Sequence, residues 1–277
     1  VQVGQMRQCR TERVFARGDE TDGIITSVYT DESFGGGSPD RVAWYYDMIK
    51  KRFPCEIEYD WGTILGFGAE VTEDNYLEFS STKYVRTIAD TYLKGESKPQ
   101  RASASRDTIM KLPSTISALP PLGSPEDLAM KPMQEDGRAL AGALTHLMRG
   151  RIDIAIDTSL CGQLVHRMTP EGYEHLKEIA RYAWATEGAV HRHVGPHCNT
   201  LLLNPRKEPI RPYNSEGEIE YGLHLIGDGA QATPGDSVPN SKSMGGYAIM
   251  FGGAAIDWKA YRLHTCTPDS TSVETMV

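Results

Sequence analysis

Six of the chain's 16 prolines fall between residues 95 and 135, at Pro99, Pro113, Pro120, Pro121, Pro125 and Pro132. Proline removes a backbone donor and pushes the residue before it out of the helical region. No central strand can run through this stretch, and a helix there has to start at a proline or tolerate one. Little periodicity accompanies the prolines, so residues 95–135 read as an irregular tether. They divide the 277 residues into a strand-and-helix part before them, 1–94, and a helical part after them, 136–198. A second strand-rich part follows over 199–277, and the fold class expected is mixed α/β (α+β).

The first part opens as a hairpin. Arg13-Val14-Phe15-Ala16-Arg17 and Ile24-Ile25-Thr26-Ser27-Val28-Tyr29-Thr30 flank the turn Gly18 to Gly23. Gly35-Gly36-Gly37-Ser38-Pro39 reads as a break, and no Lys-Ser/Thr follows to make it a phosphate loop. Asp40 reads as the N-cap of a helix running to about Phe53, where Pro54 stops it. Cys55 to Tyr59, Ile64 to Val71 and Tyr76 to Phe79 read as strands. A helix is expected over about 82–94, with Tyr84, Val85, Ile88 and Tyr92 on one face.

Beyond the prolines, Leu140, Leu144, Leu147 and Met148 form one helical stripe. Ile152 to Val165 reads as a second helix and Tyr173 to Ala185 as a third, with Thr169-Pro170-Glu171 as a helix start. Strand patterns return at Leu201 to Leu203, His224 to Ile226 and Tyr247 to Phe251. Asp153 reads as an ion-pair partner for Arg151 or Arg149.

Charge and cysteine usage exclude several classes. The net charge is −8 and the pI near 5.5, which rules out a whole-surface basic field for nucleic acid but not a local groove. Lys50-Lys51-Arg52 and Arg7, Arg10, Arg13 and Arg17 are local basic runs, read as solvated. No run approaches the roughly 20 apolar residues of a membrane-spanning helix. Five scattered cysteines without a CxxC pair exclude a disulfide framework and fit a reducing intracellular compartment. The first residues, VQVGQMRQCR, hold no apolar signal core and do not begin with Met, so the expectation is a processed or excised chain. His191, His193, His197 and Cys198 cluster at a spacing that suits zinc or copper. The plainer reading is a polar loop.

Taken in order, several segments resemble the pol polyprotein of copia-type retrotransposons. Ile24 to Glu32, IITSVYTDE, is similar to the family's LLVYVDD, the palm hairpin of the polymerase. ILGFGAEV at 64–71 is similar to FLGIEI, and LEFSSTKYV at 77–85 to LSQxxYI at the entry to the thumb. RALAGALTHL at 138–147 resembles RxAVGxLMYL, and Arg151-Ile152-Asp153-Ile154 resembles RPDI. Thr169 to Tyr182 resembles the connection between thumb and RNase H. Leu225 to Ala230 resembles GYSDAD, Ser241 to Lys259 resembles RKSTSGYVFFLGGAxISWxSK, and Asp269 to Glu274 resembles LSSTEAE.

The resemblance implies a remnant palm hairpin, a thumb-like part, a helical connection and a truncated RNase H-like sheet. In the last part, Leu223 to Asp228, Gly246 to Phe251 and Ala254 to Lys259 are expected as a three-stranded meander with an apolar face left uncovered. Asp31 and Glu32 fall at the polymerase carboxylates, and Asp228 and Glu274 at those of RNase H. Such sites hold Mg²⁺ in pairs. Here Glu32 is one methylene longer than the family's aspartate, which tight Mg²⁺ geometry penalises. Ser272 replaces a glutamate, and the remaining family carboxylates are not in the sequence. The expectation is a degenerate, non-catalytic fragment with no cofactor, retained as a structural subunit among other protein subunits. Part of an active RNA-directed DNA polymerase/ribonuclease H polyprotein, with Mg²⁺, is the alternative, and a nucleic-acid-binding remnant the third.

Overall fold

The computed structural model describes residues 7–8, 14–18, 22–28, 33–57, 62–73, 76–100, 115–194, 224–230, 243–251 and 254–262. It is a mixed helix-and-sheet protein in two compact units, Val1–Tyr59 and Asp60–Val277.

The first unit is an antiparallel sheet in the order β1 (Arg7–Gln8), β2 (Val14–Gly18), β3 (Gly23–Val28), β4 (Ser33–Gly37), followed by helix α1 (Pro39–Lys50). The β2–β3 hairpin matches the sequence reading, with Phe15 opposite Thr26. The glycine run does not break the chain as expected; it is strand β4. A side chain at Gly35 would sit 2.5 Å from the Ile25 carbonyl oxygen, and one at Gly37 2.2 Å from that of Gly23. Glycine therefore permits this close pairing. Helix α1 starts two residues earlier than expected, with Ser38 rather than Asp40 at the N-cap and Pro39 at N1, and ends before Phe53. Ser38 and Arg41 both hydrogen-bond the Asp22 carboxylate, which ties the helix start to the hairpin. Tyr45 is buried, with its hydroxyl 2.7 Å from Ser33 Oγ. Lys50, Lys51 and Arg52 are exposed, and Cys55 to Ile57 form no strand.

In the second unit, β5 (Thr63–Ile64), β6 (Phe67–Val71) and β7 (Tyr76–Ser80) are antiparallel neighbours. The apolar run expected as one strand folds back on itself at Leu65-Gly66. Both residues have positive φ, 51° and 84°, as a tight two-residue hairpin requires. Helix α2 (Thr82–Tyr92) buries Val85, Ile88 and Ala89. Helix α3 (Pro125–Leu147) takes in the last eleven residues of the expected tether, 125–135. Ser124 caps it by accepting from the Asp127 N–H, and Pro125 occupies the first turn, where its missing donor costs nothing. Pro132 lies inside this helix, on its exposed side.

The expected second helix is shorter. A 3₁₀ turn at Ile152–Ile154 leads into α4 (Ala155–Gly162), and another 3₁₀ turn spans Val165–Arg167. Helix α5 (Pro170–Ala185) starts as the sequence predicts, with Thr169 Oγ1 accepting from the Gly172 N–H at 3.0 Å. The core joins these helices: Leu140, Leu144, Leu147, Leu164, Met168 and Leu176 are at most 1% exposed. Burying each such side chain contributes about 1.5–3 kcal/mol before entropy is counted.

Strand β8 (Val190–Val194) then returns to pair with β7, setting His191 opposite Phe79. The final strands β9 (His224–Ala230), β10 (Met244–Phe251) and β11 (Ala254–Arg262) form the expected antiparallel meander, with a bulge after Ile249. No helix among the described residues is long and apolar enough to cross a membrane.

Candidate functional site

Asp31, Glu32, Glu274, His197 and Cys198 lie outside the described residues. Asp228 sits on β9 opposite Gly246, which is itself opposite Ala260 on β11. It is exposed, and its Oδ1 accepts from the Gly229 N–H at 2.9 Å. Its cross-strand row thus offers one carboxylate. Among the described residues, no group of three or more His, Cys, Asp or Glu is placed to hold a metal ion.

His191 and His193 are in strand β8, not in a polar loop. The reason is a partner far away in sequence: β7 offers a free edge and β8 fills it. Both rings point to one face of the strand and are engaged with aromatic neighbours. His193 meets Phe79 edge-on at 5.7 Å, and His191 lies flat on Trp258 at 5.1 Å. Burial first, and then His193, push the His191 pKa below its ordinary value. On the opposite face Arg192 pairs with Glu78 and lies over the Tyr76 ring.

The Trp258 ring joins the meander to the helical body. Its Nε1 donates to the Met148 carbonyl at 2.8 Å, and Ser159 Oγ donates to the Ala260 carbonyl at 2.8 Å. Just beyond Met148, Arg151 is 2% exposed. Its Nε and one Nη bond the Asp153 carboxylate at 2.8 and 2.7 Å, and its guanidinium also donates to the Thr186 hydroxyl and carbonyl. Burial would raise the Asp153 pKa, but the Arg151 hydrogen bonds outweigh it and hold the carboxyl below its usual range. Arg151, not Arg149, is the partner the sequence left open.

An open hollow of about 470 Å³ lies between the β5–β6 hairpin and α2. Thr63, Gly66, Gly68 and Ser80 form one wall; Thr82, Lys83, Arg86, Thr87 and Asp90 form the other. The last four share one helix face at spacings of three and four residues, opposite the buried Val85, Ile88 and Ala89. Leu65 holds the hairpin's left-handed conformation through its carbonyl, 3.2 Å from His146 Nε2, and His146 stacks on Phe67 at 5.4 Å. Arg86 is already fixed by a two-point contact with Glu187, at 3.0 and 3.1 Å. Glu187 also takes Lys98 at 2.7 Å, and these partners hold its carboxyl down at about 2. With Arg86 taken by Glu187 and Asp90 on the same wall as Lys83, the hollow presents a polar surface of mixed charge. The sequence reading passed over this site, although the Lys83–Arg86–Thr87–Asp90 spacing on an amphipathic helix was its visible signal.

Compared with protein-family models, curated proteins and solved structures, the chain matches none.

Proposed function

We propose that this chain is a copia-type reverse transcriptase/RNase H-like module that works inside the cell as a structural subunit of a larger protein assembly and performs no phosphoryl transfer itself. The observation that carries the reading is the exposure of Leu225 and Ile226 on β9, an outer strand of the meander: they are 71% and 58% exposed and, as successive strand residues, leave an apolar side chain on each face. Apolar residues beside an outer strand are a liability in a free protein and an asset at an interface. The departures at Glu32 and Ser272 support the loss of chemistry. Mild isolation from the native source, followed by mass measurement of the intact complex, tests this. A defined stoichiometric complex with other proteins is expected. A free chain, or one bound only to nucleic acid, overturns the reading.

One observation favours a second reading, a portion of an active RNA-directed DNA polymerase/ribonuclease H polyprotein. Asp228 stands on the first strand of an antiparallel meander, where the family resemblance calls for a carboxylate. Ribonuclease H assays with Mg²⁺ on the chain and on Asp228→Asn separate the two. Activity lost in the variant supports the second reading; an identical blank from both supports the first.

A further inference from the structure

We draw no further inference here: the strongest candidate, the exposed apolar surface of Leu225 and Ile226 on outer strand β9, carries nothing beyond the proposed function because nothing in the structure shows what covers it.

Discussion

His191 and Trp258 stack face to face, with ring centroids 5.1 Å apart and planes 3° from parallel. One ring comes from β8, the last strand of the middle sheet, and the other from β11, an outer strand of the meander. With the Trp258 Nε1 bond to Met148, this pair is a principal tie between the meander and the helical body.

Trp258→Ala should therefore loosen the meander. The expected cost is about 2–3 kcal/mol, below the range for a core tryptophan because Trp258 is only half-buried. Trp258→Phe keeps a ring and loses the hydrogen bond, for about 1 kcal/mol. Denaturant unfolding of both variants gives the comparison. Equal stability of Trp258→Ala and the parent would show that the tie is elsewhere.

The same stack sets a pH dependence. His191 has a folded pKa below its ordinary 6.5, because burial and His193 disfavour its charged form. Its stabilising contribution is thus complete above the unfolded value and is lost as pH falls through the lower folded value. Stability measured at pH 8 and pH 5 should fall more in the parent than in His191→Phe. Parallel losses would assign the acid sensitivity to other groups.

Asp153 and Arg151 should respond unequally to mutation. Arg151 is 2% exposed and Asp153 36%, so their burial is lopsided. Asp153→Ala strands a buried guanidinium and should cost about 3–5 kcal/mol. Arg151→Met removes the buried charge and leaves a carboxylate that already reaches water, so it should cost less. A larger loss in Arg151→Met than in Asp153→Ala would reverse this account.

Much of this architecture was legible locally. Thr169-Pro170 announced α5 because a hydroxyl N-cap and a proline at N1 solve a local problem, the unpaired first-turn donors. For the β9–β11 meander the local pattern marked only His224 to Ile226 and Tyr247 to Phe251 as strand-like; the third strand and the antiparallel order were expected from the resemblance. What escaped depends on distant partners. Val190–Val194 is polar at three of five positions, and only its pairing with Tyr76–Ser80 makes it a strand. Gly35 to Gly37 read as a break because glycine has no strand preference of its own; the crowding at the Ile25 and Gly23 carbonyls is tertiary. The prolines misled at Pro125, where the residue that ends one element begins another. Of the candidate site residues, Asp228, His191 and His193 were picked out from the sequence, and among the described residues no metal-holding group includes them. The hollow was not, because it joins a hairpin to a helix and no single motif spans both.

Glu187 should make part of the fold acid-sensitive. Its partners Arg86 and Lys98 hold its carboxyl at about 2 against an ordinary 4.5. A depressed carboxylate stabilises above its unfolded value, and that contribution drains away between about 4.5 and 2. The partners are largely exposed, at 62% and 43%, so the gain is small and screened by salt. Stability of the parent and of Glu187→Gln should converge as pH drops from 6 to 2.5, and also as salt rises. A constant gap across both titrations would mean that Glu187 acts by packing alone.

Two glycines in and just after the same helix should respond in opposite directions to alanine. At Gly150 a Cβ would lie 2.7 Å from Phe67 Cε1. That ring is stacked against His146 and near Tyr84, and its retreat would disturb the stack that holds the Leu65 turn. Gly150→Ala should destabilise by roughly 1–3 kcal/mol through overpacking. Gly142 lies inside α3 on an exposed side, and an added methyl there would meet nothing within 4 Å. Gly142→Ala should stabilise by up to about 1 kcal/mol, since alanine removes the backbone freedom that glycine loses on folding. Thermal unfolding of the two variants side by side reads the sign. Stabilisation by both would mean that Phe67 yields freely, and the hollow's hairpin wall would then be softer than its contacts imply.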